Sequence, residues 1–213
     1  MAKKPWEMTW PRKGDKAFVP GADKRWSVQL DWFEVLDNDR MIAEGFKDAA
    51  DRVVASLETG SHTRHPDRSF FPVAYLYRHS IELYLKEIVR LGQSLNLGDA
   101  GKDVMAAHNL HALWGKARQV LETMWPGADP EPLLAAEKVI LDFHKIDRSG
   151  QELRYARSKE QKPHLEQAPR IIDLVQMKDV METVLGFLDS CLVGMDVALE
   201  QIADARAYER DLG

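Results

Sequence analysis

Eight apolar residues, Met177, Met181, Val184, Leu188, Cys191, Met195, Ala198 and Ile202, recur at alternating spacings of four and three. The seam averages about 3.57 residues per turn, between a straight helix and a heptad, and predicts one continuous helix over about 176–208. Such a helix is on the order of 50 Å long, so the rest of the chain must pack alongside it. Asp173, with Gln176 three residues on, forms a capping box at its start. Gly186 and Gly194 are places where it can bend.

Helical spacing also governs what precedes it. Ile42, Phe46, Ala49, Val53 and Leu57 share one face of a helix expected over about 36–58, closed by Gly60. A second helix is expected from Pro72, suited to a first turn, to Leu91, with Gly92 as its stop. Its apolar residues leave little room for a polar face, so it should be central and buried. Residues 93–107 read as a loop. A third helix opens near His108-Asn109 and carries Leu110, Leu113, Trp114, Ala117, Leu121 and Met124. Asp129 and Pro130 start a fourth that reaches about His144. No segment alternates apolar and polar residues, so the fold class is all-α: a bundle of about five helices with a long C-terminal helix.

Residues 1–30 break every regular pattern with Pro5, Pro11, Pro20, Gly14 and Gly21. This irregular, basic arm carries Trp6, Trp10 and Trp26, with Trp32 just after it. Aromatic surface of that size is costly to leave in water and predicts an arm packed on its own domain, the alternative being a partner or a stacked base. The domain division is therefore an arm over 1–30 and a single helical domain over 31–213.

The charge balance of −5 argues against generic nucleic-acid binding, although residues 145–170 lean basic. A lone cysteine, Cys191, excludes an intrachain disulfide and a cysteine-based zinc site. It lies on the seam and reads as a small core hydrophobe. No apolar run is long enough to span a bilayer, and the charged start Met1–Trp6, with no apolar stretch after it, is not expected to act as a secretory signal. The expectation is a soluble, cytoplasmic protein without membrane partners.

Motif chemistry is sparse. There is no glycine-rich phosphate loop, no G-x-S-x-G elbow and no H-E-x-x-H helix. The pairs His62/His65 and His108/His111 lack a third ligand at metal-binding spacing, so neither metal nor cofactor is expected. One constellation stands out. Arg78, His79, Glu82 and Lys86 lie on the apolar second helix, where charges must be paired or reach water. His108, at the third helix, and Arg154, in the segment Asp147–Tyr155 after the fourth, complete the candidate cluster, with Arg154 expected to meet Glu82. The cluster is either a structural ion network or a polar groove for a nucleotide or an RNA phosphate.

The run Phe71–Lys86 resembles the "LxRHxxELxLK" helix of some HEPN-like proteins. His108-Asn109-Leu110-His111-Ala112-Leu113-Trp114 and Leu153-Arg154-Tyr155 resemble further segments of that family in the expected order. The resemblance covers about residues 70–200. It implies a compact helical bundle that often dimerises, with roles in RNA cleavage, nucleotide binding, toxin–antitoxin pairs or phage defence. Nuclease members carry an Arg followed after four to six residues by His. Arg157 and His164 are the catalytic candidates on that pattern, with six residues between them. About 1.5 such matches arise by chance in a chain of this composition, and Pro163 keeps a helix from holding both side chains on one face.

The expected function is thus a non-catalytic HEPN-like domain binding a nucleotide, RNA or protein partner, as a homodimer. The alternatives are a metal-independent ribonuclease using Arg157 and His164, and an oligomerisation protein without a ligand.

Overall fold

The computed structural model describes residues 39–59, 66–98, 101–106, 108–155 and 168–211, together with 10, 11, 13–19, 21, 23, 25, 27, 28, 157 and 165. The chain divides into two units, Met1–Asp37 and Asn38–Gly213. In the first, Arg25 holds Asp23 at 2.7 Å and the Ser27 hydroxyl donates to the Asp23 carbonyl at 2.7 Å. Trp6, Trp26 and Trp32 lie outside the described residues, so the expected packing of the arm does too.

The second unit is all-α. Its described residues form six helices: α1 Asp39–Glu58, α2 Pro66–Ser94, α3 Lys102–Ala106, α4 Leu110–Met124, α5 Glu131–Ile146 and α6 Leu174–Asp211. No described helix is long and apolar enough to cross a membrane. The short α3 lies where a loop was expected.

α2 is the axis of the bundle and packs against α1, α4 and α6. It buries Tyr77, Ile81, Tyr84, Leu85 and Ile88 completely or nearly so. Both of its ends differ from the expectation. Pro66 takes the first position, and Pro72 sits inside the helix, where it removes one backbone bond. At the other end Gly92 does not stop the helix. Its missing side chain admits Val120 of α4, whose two methyl carbons lie only 2.6 Å from where a Cβ would stand. The stop is Asn96, at φ 59, with Leu97 N donating to the Gly92 carbonyl at 2.8 Å and Asn96 N to the Gln93 carbonyl at 3.0 Å. That is the Schellman arrangement, with Asn in the left-handed position usually given to Gly.

The caps follow the sequence closely. Asn109 Oδ1 accepts the Ala112 N–H at 3.0 Å and opens α4. Asp129 Oδ1 accepts the Glu131 N–H at 3.0 Å at the start of α5. Asp173 Oδ1 accepts the N–H groups of Val175 and Gln176 at 2.9 and 3.0 Å and opens α6. α6 runs for 38 residues. Its seam is buried at Met181, Val184, Leu188, Cys191 and Met195, and the thiol of Cys191 is pushed up to about 11 by burial. Beyond Met195 the seam leaves the core: Ala198 is half-buried and Ile202 is exposed.

Candidate functional site

Arg78 sits one turn before Glu82 and two before Lys86, so all three project from the same face of α2. Arg78 and Glu82 are each 1 % exposed. Charges so placed must be matched, and they are. Arg78 Nη1 donates to Glu82 Oε2, and Nη2 donates to the His108 carbonyl at the entrance to α4. Arg78 Nε lies 2.9 Å from Asp147 Oδ2, an ion contact without an aligned hydrogen bond. Glu82 Oε1 takes two more partners, Lys86 Nζ and His108 Nδ1, both at 2.8 Å. Burial alone would raise the Glu82 pKa, but hydrogen bonds from Lys86, Arg78 and His108 outweigh it and hold the group down at about 2.

One buried guanidinium therefore joins three stretches of chain: α2, the start of α4 and the end of α5. Asp147, the C-cap of α5, is fully buried. Burial and the neighbouring Glu152 push its carboxyl up, against the pull of Arg78. Glu152 goes the other way: burial opposes its charge, but hydrogen bonds with Asp147 and Ser149 hold it low. The turn between them is closely built. Glu152 N donates to Asp147 Oδ1 at 2.9 Å, and the Glu152 carboxylate accepts from Ser149 N and Oγ at 3.1 and 2.9 Å. Gly150 lies within this turn at φ +76, and a Cβ there would stand 3.1 Å from the His108 Cβ and 3.3 Å from Arg78 Nη2. Only glycine meets both demands.

The rim of the network reaches solvent. The His108 side chain is 55 % exposed. His79 stacks on Tyr75 with ring centroids 5.9 Å apart and planes 5° from parallel, and meets Phe46 edge-on at 4.6 Å. Burial lowers the His79 pKa. Arg154 does not reach Glu82 as expected. It is exposed, with its guanidinium carbon 5.8 Å from the centre of the Tyr75 ring, and Asp147 pairs with Arg78 in the buried position. The rings of His111 and His144 approach with centroids 5.8 Å apart. The His144 pKa is lowered by burial and by the nearby charges of His111 and Arg148.

The structure thus brings together Arg78, His79, Glu82, Lys86 and His108, and sets Arg154 at their edge over Tyr75. Asp147 and Gly150 are partners that no local sequence signal reveals. Asp147 sits where α5 ends, a position that reads as a helix boundary and not as an ion-pair partner. Arg157 is exposed, and His164 lies outside the described residues. Among the described residues no cluster of His, Cys, Asp or Glu is placed to hold a metal ion; His62 and His65 lie outside them. No protein-family model matches the chain, and neither a curated protein nor a solved structure is significantly similar to it.

Proposed function

We propose that the chain is a non-catalytic HEPN-like helical domain that binds a nucleotide, RNA or protein partner at the rim of the Arg78–Glu82 network. The observation that carries this reading is the closure of the network on itself. Each terminal nitrogen of the Arg78 guanidinium and both Glu82 oxygens are bonded within the protein, so neither group is left to take a proton or bind a phosphate. Groups able to recognise a ligand stand at the edge: Tyr75, His79, His108 and Arg154. A place in a toxin–antitoxin or defence system belongs to the same reading, and a neighbouring nucleotidyltransferase gene would support it. Incubation of total RNA with the wild type and with His164→Ala tests the absence of catalysis. Neither protein is expected to cleave above background; cleavage by the wild type that the variant loses would establish the ribonuclease alternative.

The homodimer in this reading is supported by the end of α6. Val197, Ile202 and Tyr208 are exposed where the seam of α6 has left the core. Pairing of two such ends would cover apolar surface that a lone chain leaves in water. Light scattering after size exclusion is expected to read about twice the chain mass of 24.3 kDa, and a mass of one chain at micromolar concentration would refute the dimer.

A further inference from the structure

The segment from the end of α5 through the 147–155 turn has an uneven charge distribution. Its two acids are withdrawn from solvent action, Asp147 by burial against Arg78 and Glu152 by its bonds to Ser149. Its bases point outward: Arg148, Arg154 and Arg157 are exposed. Among the described residues no carboxylate lies within ion-pair distance of Arg148 or Arg154. A chain of net charge −5 therefore presents a cationic face at one end of the bundle. Aromatic groups stand in the same place. Tyr155 is 59 % exposed, Tyr75 and His79 form a parallel stack, and Arg154 lies over the Tyr75 ring.

An exposed tyrosine, Tyr155, and a half-buried one, Tyr75, set beside the guanidinium groups of Arg148 and Arg154, which no carboxylate among the described residues pairs, fit one class of ligand best. Flexible polyanions with free bases stack on such rings and lay their phosphates on the cations. A duplex, with its bases already stacked, uses only the charge. We propose that the face formed by Tyr75, Tyr155, Arg148 and Arg154 binds single-stranded nucleic acid. The inference rests on the ligand-binding reading above and narrows it. A base needs an open ring face. Arg154 is held at Tyr75 by a cation–π contact alone among the described residues, so it can yield the ring and turn to the adjoining phosphate. The turn itself cannot drift, because Asp147 ties it to Arg78 and Gly150 rests on that guanidinium.

Fluorescence anisotropy with labelled uridine and thymidine dodecamers, a duplex of the same length and AMP tests this on the full chain. Both single strands are expected to bind, more tightly than the duplex, and to weaken steeply between about 50 and about 200 mM salt. Tyr75→Leu and Arg154→Gln are each expected to weaken single-strand binding by about tenfold. Arg206→Gln, an equal charge change near the end of α6, should alter it by less than about twofold. Arg154 is exposed, so Arg154→Gln remains decisive even if Tyr75→Leu does not fold, as helical circular dichroism will show. Single-strand binding that neither variant changes, or duplex binding as tight as single-strand binding, would overturn the inference. Binding of AMP alone would overturn it too, while leaving the broader ligand-binding function in place.

Discussion

Replacing Glu82 by alanine is expected to cost the fold roughly 3–5 kcal/mol, because it takes from the buried Arg78 guanidinium one of its two carboxylates and leaves the largely buried Lys86 ammonium without its partner. That is a large part of the stability of an ordinary domain, about 5–15 kcal/mol. Glu209→Ala, on the exposed end of α6, is expected to change stability by less than about 0.5 kcal/mol. Urea denaturation of the two variants makes the comparison, and equal small losses would mean that the network contributes nothing. The same carboxylate sets a dependence on pH. Glu82 ionises at about 2 in the fold against an ordinary 4.5, so at mildly acid pH the unfolded chain binds the extra proton. Its stabilising share is fully present above about pH 5 and is lost as the pH falls towards 2. The stability difference between the wild type and Glu82→Gln should be level from neutrality down to about pH 5 and shrink below it. A difference that stays constant to pH 3 would show that Glu82 is not held ionised.

Gly92→Ala should reverse the usual sign of a helical glycine substitution. In an open helix the change stabilises by about 1 kcal/mol. Here the new Cβ would stand 2.6 Å from both methyl carbons of Val120, on a neighbouring helix that is itself fixed in the core. Overpacking of this kind costs about 1–3 kcal/mol. Val120→Ala removes the obstructing methyls, so the double variant should be more stable than the sum of the two single losses requires, by about 1 kcal/mol or more. Thermal unfolding of the four proteins gives that coupling directly. Additive losses would show that α2 and α4 do not meet closely at Gly92.

Local sequence and structure diverge at Gly92. Gly92 looked like a helix stop because glycine after an apolar run so often is one. Its role depends on Val120, which no local pattern brings near it. Asn96 could take the left-handed position instead because its side chain tolerates it, so α2 gained a turn. The interior proline misled in the same way: Pro72 suits a first turn, but Pro66 offers an earlier one. By contrast, the Asn109, Asp129 and Asp173 caps and the α6 seam were legible, since each depends on residues within a few positions of itself. The candidate site was legible in part. Arg78, Glu82 and Lys86 are linked by helical spacing alone. That His108 and Asp147 close around them, and that Arg154 stays outside, depends on how α4 and the end of α5 pack against α2, which the spacing of charges does not encode.

The joining of three distant stretches at one guanidinium also bears on how the chain assembles. As synthesis proceeds from the N-terminus, Arg78 finds Glu82 within a single turn, but Asp147 emerges only after α4 and α5 have been made. Until then the guanidinium keeps part of its hydration, and α2 cannot be enclosed completely without stranding a charge. Sealing of the central helix consequently waits for the basic turn and for α6 beyond it, and a nascent chain ending before Asp147 carries an unsealed core.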